Sequence, residues 1–141
     1  MGLDQMAFTK ESEDKGAVEH EAIEIASWRK HNRLQGYMEK LWEAKGRPNW
    51  DGQPKPFGDF NCIPLQLTET DIEQLEAHVI QKALPETEGF FFGNDSFEWE
   101  DDDGNPMPKG SYYHQEQDVQ FIAAARKALQ EGKRVFYDCW Y

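Results

Sequence analysis

The chain has 141 residues, with 27 Asp and Glu against 15 Lys and Arg, a formal net charge of -12 and a 13% aromatic share. That length supports one ordinary core rather than two, and the aromatic content argues against disorder. The acidic balance argues against binding to nucleic acid or anionic membrane, since neutralising phosphates takes clustered Lys and Arg, and no apolar run reaches the ~18 residues that span a bilayer.

Residues 3–9, from Leu3 to Thr9, alternate weakly and predict a short strand; residues 10–21 are polar and predict a mobile linker. A helix is expected to start somewhere between His20 and Ser27 and to run to about Lys45. Its apolar stripe is Leu34, Tyr37, Met38 and Leu41, with Trp42 at the edge. Gly46, Pro48, Gly52, Pro54, Pro56 and Gly58 make residues 46–58 a long loop. Cys62 to Leu67 predicts a strand. Thr68 and Asp71 have the spacing of a capping box, opening a helix with Ile72, Leu75, Val79 and Ala83 inward and Pro85 as its stop. Gly89-Phe90-Phe91-Phe92 predicts a short buried strand closed by a turn through Asn94, and residues 98–110 an acidic loop. A third helix is expected from about Gln115 to Gln130, with Val119, Ile122, Ala123 and Leu129 inward and Gly132 as its C-terminal stop. Arg134 to Tyr141 has strand composition. The predicted architecture is therefore one α+β domain over residues 1–141, three helices on a small, mainly antiparallel sheet.

Within this acidic chain, Ser27-Trp28-Arg29-Lys30-His31-Asn32-Arg33 is basic and carries no carboxylate. On a helical wheel, Lys30 falls inside the apolar stripe and Arg29 and Arg33 share its flank. Two expectations follow. Either Arg29, Lys30 and Arg33, walled by Trp28, form a shallow pocket for a small anion, or the cluster is an internal ion-pair hub with Asp138 or Glu24 as counter-ion. His31 and His114 can serve as acid or base if the fold brings them together, and Asn94 sits on a turn that can rim a pocket.

Other chemistry is not signalled. The histidines at 20, 31, 78 and 114 show no HxH or HExxH spacing, so no zinc site is expected. Counted from Asp101, a calcium loop fails at its sixth residue, Pro106, and its twelfth, Tyr112. Gly89 to Gly93 matches neither a P-loop nor a dinucleotide fingerprint. No cofactor is implied. Cys62 and Cys139 form no CxxC pair and are expected to be buried free thiols in a reducing compartment. The residues from Met1 to Gln5 have neither the basic start nor the apolar stretch of a secretion signal, and Met6 fails the myristoylation pattern. A cytoplasmic location is the expectation.

Met1-Gly2-Leu3-Asp4, Trp28-Arg29-Lys30-His31-Asn32, Leu84-Pro85, Gly89-Phe90-Phe91-Phe92-Gly93 and Tyr137-Asp138-Cys139-Trp140 stand in this order along the chain. Together they resemble a family of small phage and bacterial proteins with a Gly-Leu-Asp strand, a Trp-Arg-Lys-x-Asn helix and a Gly-Phe-Phe-Phe-Gly segment. Some members carry a phosphoglycerate kinase label, which a chain this short with no phosphate loop does not support. The resemblance implies a phage or prophage setting, with host cytoplasm as the location, and implies no mechanism. Three functions follow as expectations. The first is a non-enzymatic accessory protein that binds a host or phage protein. The second is a module for a small anion or nucleotide-like ligand at Trp28 to Arg33. The third is a small hydrolase or transferase using His31 or His114 with Asp138.

Overall fold

The computed structural model describes residues 2–11, 22–49, 53, 60–85, 103–106 and 112–141. Its frame is a pair of antiparallel strands from opposite ends of the chain. β1 (Asp4–Lys10) and β4 (Arg134–Trp140) pair in register from Asp4 opposite Trp140 to Lys10 opposite Arg134. Alternation along each strand sends Gln5, Ala7, Thr9, Val135, Tyr137 and Cys139 inward. β2 (Ile23–Arg29) flanks β1, and the short β3 (Leu65–Leu67) flanks β4, giving an antiparallel sheet of order β2-β1-β4-β3.

Three helices cover the inward face: α1 (Asn32–Ala44), α2 (Glu69–Ile80) and α3 (Gln115–Gln130). They bury Leu34, Met38 and Trp42 from α1, Ile72, Leu75 and Val79 from α2, and Phe121, Ile122 and Ala125 from α3. Each fully buried side chain of this size contributes about 1.5–3 kcal/mol. The opposite face carries Met6, Phe8, Phe136 and Trp140, with the Phe8 and Phe136 rings stacked 5.2 Å apart. The α+β class, the antiparallel sheet, the third helix and the Thr68–Asp71 capping box all stand as expected.

Several expectations are corrected. The first helix does not begin before Ser27: residues 23–29 form β2, paired to β1 with a bulge at Ala7/Phe8, and the chain turns at Lys30 through a left-handed φ of 55° before α1 starts at Asn32. Lys30 is consequently exposed rather than inside the apolar stripe. The strand expected from Cys62 is only Leu65–Leu67, because Cys62 sits at φ 61° in a turn, where its thiol is exposed. Val119 and Ala123 are exposed, while Phe121 and Ala125 take the inward positions of α3. Ala83 lies beyond α2 and is also exposed. Gly89-Phe90-Phe91-Phe92, the 10–21 linker beyond Glu11, and the acidic loop apart from residues 103–106 lie outside the described residues.

Candidate functional site: a sealed histidine–aspartate cluster

Asp118 lies in the first turn of α3, on the same side as Phe121, Ile122 and Ala125, so the helix aims its carboxylate into the core. Three donors meet it there. Trp28 Nε1–H donates to Oδ1 at 2.8 Å, His31 Nε2–H to Oδ2 at 2.8 Å, and the Tyr112 hydroxyl also to Oδ2. Asp118 is 1% exposed and His31 0%, so these bonds stand in for the water that the carboxylate gave up.

His31 precedes α1 as its N-cap, and its Nδ1 accepts the Leu34 amide at 3.5 Å. That bond fixes the tautomer with the proton on Nε2, toward Asp118. Both ring nitrogens are therefore engaged within the protein. His114 lies flat against His31, with ring centroids 4.2 Å apart and 8° between planes. Its Nε2–H donates to the Arg29 carbonyl at 3.2 Å. Burial pushes the His114 pKa down to about 4, and the adjacent His31 adds to the depression, so the ring is neutral at neutral pH. Burial, with the Asp118 charge behind it, holds the Tyr112 phenol far above its ordinary range.

A second line of internal bonds backs the first. Gln5 on β1 accepts the His31 amide through Oε1 at 2.9 Å and donates through Nε2 to the His31 carbonyl at 2.9 Å and the Tyr137 hydroxyl at 2.8 Å. Tyr137 donates to Gln35 Oε1 at 2.6 Å, and Gln35 Nε2–H donates to Cys139 Sγ at 3.2 Å. Burial pushes the Cys139 thiol up to about 12, which keeps it protonated and unreactive. The cluster thus locks β1, β2, the α1 cap and the α3 N-terminus together.

Of the residues singled out by sequence, Trp28, His31 and His114 converge. The cations separate. Arg29 is exposed and stands 3.7 Å from Asp4 rather than beside Asp138 or Glu24. The exposed Lys30 donates its amide to the Leu3 carbonyl at 2.8 Å, and Arg33 Nη1 donates to the Leu84 carbonyl at 2.9 Å. Asp138 is on the opposite face of the sheet, where its Oδ1 accepts the Cys139 amide at 2.8 Å and burial raises its carboxyl. Asn94 lies outside the described residues. Asp118, Tyr112 and Gln5 are the members that sequence reasoning missed. Asp118 did leave a signal, an acidic residue on the buried side of the third helix.

Among the described residues, two surface cavities accompany this interior. One, of about 340 Å³, is lined by Gly2, Asp4, Arg29, Trp140 and Tyr141. The other, of about 170 Å³, lies between α2 and α3. Among the described residues no group of three His, Cys, Asp or Glu is disposed to hold a metal ion, and no helix is long and apolar enough to cross a membrane. Comparison with protein-family models, with curated proteins and with solved structures found no match.

Proposed function

We propose that this chain is a non-enzymatic accessory protein, phage-encoded, that acts in the host cytoplasm by binding a host or phage protein. The observation that carries a binding role is the contrast between inside and outside. His31, His114 and Asp118 are used up in holding the fold, while Ile80, Trp140, Tyr113, Ile23 and Val119 are left more than half exposed on a highly charged chain. Exposed apolar side chains that adjoin one another, as Ile80 and Val119 do across one cavity, mark a surface that a partner covers. With a net charge of -12, attraction across such an interface favours a basic partner.

A second function, binding of a small anion, rests on the 340 Å³ cavity, which Arg29 lines together with Trp140 and Tyr141. Asp4, 3.7 Å from Arg29, weakens that case because it competes for the guanidinium. One experiment separates the two. A thermal-shift screen against nucleotides and phosphorylated metabolites is expected to be flat, and a host or phage protein is expected to form a stoichiometric complex with the chain. Saturable stabilisation by one of those metabolites, abolished by Arg29→Ala, would replace protein binding with ligand binding.

A further inference from the structure

A groove lined largely by apolar side chains lies between α2 and α3. The two helices run in opposite directions: Glu76 meets Arg126, while Val79 and Ile80, later in α2, line a cavity with Val119, Ile122 and Ala123, earlier in α3. The floor is Val79 and Ile122, both buried. The rim is Ile80 and Val119, 70% and 51% exposed. Among the described residues, these two apolar side chains of the groove stay open to water.

The charge beside the groove says what would satisfy them. Glu69, Glu73, Glu76 and Ile80 follow one another at helical spacing, so they form one stripe on the α2 surface. Arg126 grips Glu76 with two hydrogen bonds, at 2.8 and 3.2 Å. The fields of Glu73 and Glu69 also reach it and join Glu76 in raising its pKa. One arginine facing three glutamates leaves the stripe negative, and Glu116 on the exposed side of α3 adds to that sign at the far end. The surface is therefore apolar at Ile80 and Val119, and acidic about 10 Å away at Glu73, two turns along α2.

Resting on the protein-binding role proposed above, we propose that this groove is the docking site and that its occupant is a basic amphipathic helix of the partner. An apolar side chain of that helix fills the Val79–Ile80–Val119–Ile122 cavity. A Lys or Arg two turns away along the same face meets Glu73 and Glu69. Two helices side by side offer the ridges and groove that a third helix packs into, and matching apolar and charged positions at a seven-residue spacing fix its register. A second copy of this chain is a poor occupant, since each copy brings a net charge of -12 to the contact.

The test uses the full chain, isotope-labelled, and three synthetic helical peptides of about four turns, a length that covers the groove. The first carries Leu and Lys seven residues apart on one face, the second has Glu for that Lys, and the third has Ser for that Leu. The Leu/Lys peptide is expected to bind saturably, with amide shifts concentrated at Ile80, Val119, Ala123 and Glu73, and the other two to bind at least about tenfold more weakly. Val119→Ser and Glu73→Lys, both at exposed positions, should each weaken the Leu/Lys peptide about tenfold, and Glu73→Lys should strengthen the Leu/Glu peptide. Absence of saturable binding, equal binding of the acidic peptide, or shifts centred on Trp140 would overturn the groove. A natural complex that resists Val119→Ser and Glu73→Lys but is lost with Trp140→Ala would remove the groove and leave the protein-binding role standing. Metabolite binding through Arg29 would remove that role instead.

Discussion

His31 and His114 stack ring on ring at 4.2 Å, and His31 is bonded to Asp118 at 2.8 Å. Asp118 is consequently the keystone, an acceptor for donors from β2, from the α1 cap and from the residues before α3. Asp118→Asn keeps the shape but turns one acceptor into a donor facing donors. The expected loss is about 2–4 kcal/mol, read as a lower urea midpoint. The Trp28 indole N–H resonance should also lose the downfield position of a charge-assisted bond. Unchanged stability would mean that the three donors find other acceptors.

The stacked pair also makes stability depend on pH. His114 titrates at about 4 in the folded chain against 6.5 for an ordinary histidine, mainly because it is buried. Between those values the unfolded chain binds more protons, so folding opposes protonation. This contribution is complete above about pH 6.5 and is lost as pH falls toward 4, reaching on the order of 3 kcal/mol. His114→Phe keeps a ring in the stack without a titrating group. It should lower stability at neutral pH by about 1 kcal/mol through the lost bond to the Arg29 carbonyl. It should also flatten the fall between pH 6.5 and 4. Parallel pH profiles for the two proteins would assign the acid sensitivity to other groups.

What was legible in the chain follows from how much of each element's pattern is local. β4 alternates cleanly, and α2 announces itself through Thr68, Asp71 and a stripe every three to four residues. β2 is an edge strand whose first residues are exposed, including Ile23 and Glu24, so its alternation carries little signal. The strong stripe of α1 then draws the apparent helix back across it. Lys30, where the chain turns, has a backbone angle usually left to glycine, and no glycine marks the place. The Asp118 cluster is tertiary: His31 and Asp118 are 87 positions apart, Trp28 and Asp118 are 90 apart, and no spacing rule joins them. The basic character of Trp28 to Arg33 was visible, but the fold uses the segment for its indole and imidazole, turns Arg29 and Lys30 outward and ties Arg33 to the Leu84 carbonyl.

The α1 C-terminus and the α2 N-terminus are joined through Asp71. Burial alone would push its carboxyl up, but hydrogen bonds from Lys45 and from the Thr68 amide outweigh that and hold it below its usual range. A carboxyl lowered in the folded chain adds stability above its unfolded pKa, and that stability is lost as pH falls below it. Thr68→Ala removes one side of the capping box, at about 1 kcal/mol. Asp71→Ala removes the other side together with the Lys45 contact and should cost more, about 2 kcal/mol. A double-mutant cycle with Lys45→Met should give a coupling near 1 kcal/mol or below, because Lys45 is partly exposed. A zero coupling would reduce Asp71 to its capping role.

All three helices end in the same paired turn, and only α2 ends it without glycine. After α1, Gly46 at φ 90° donates to the Glu43 carbonyl and Arg47 to Trp42; after α3, Gly132 at φ 80° donates to Leu129 and Lys133 to Ala128. After α2, Lys82 fills the glycine position at φ 52°, donating to Val79, while Ala83 donates to His78 at 2.8 Å. A side chain in the left-handed region costs about 1–2 kcal/mol, and glycine returns part of that through the entropy of the unfolded chain, about 0.4–1 kcal/mol. Lys82→Gly should therefore stabilise the protein by about 0.5–1 kcal/mol, a rise of a few degrees in Tm for a chain of this length. Calorimetry of the two proteins decides it. A lower Tm for Lys82→Gly would mean that the lysine side chain, through contacts of its own, is worth more to the end of α2 than the relieved backbone.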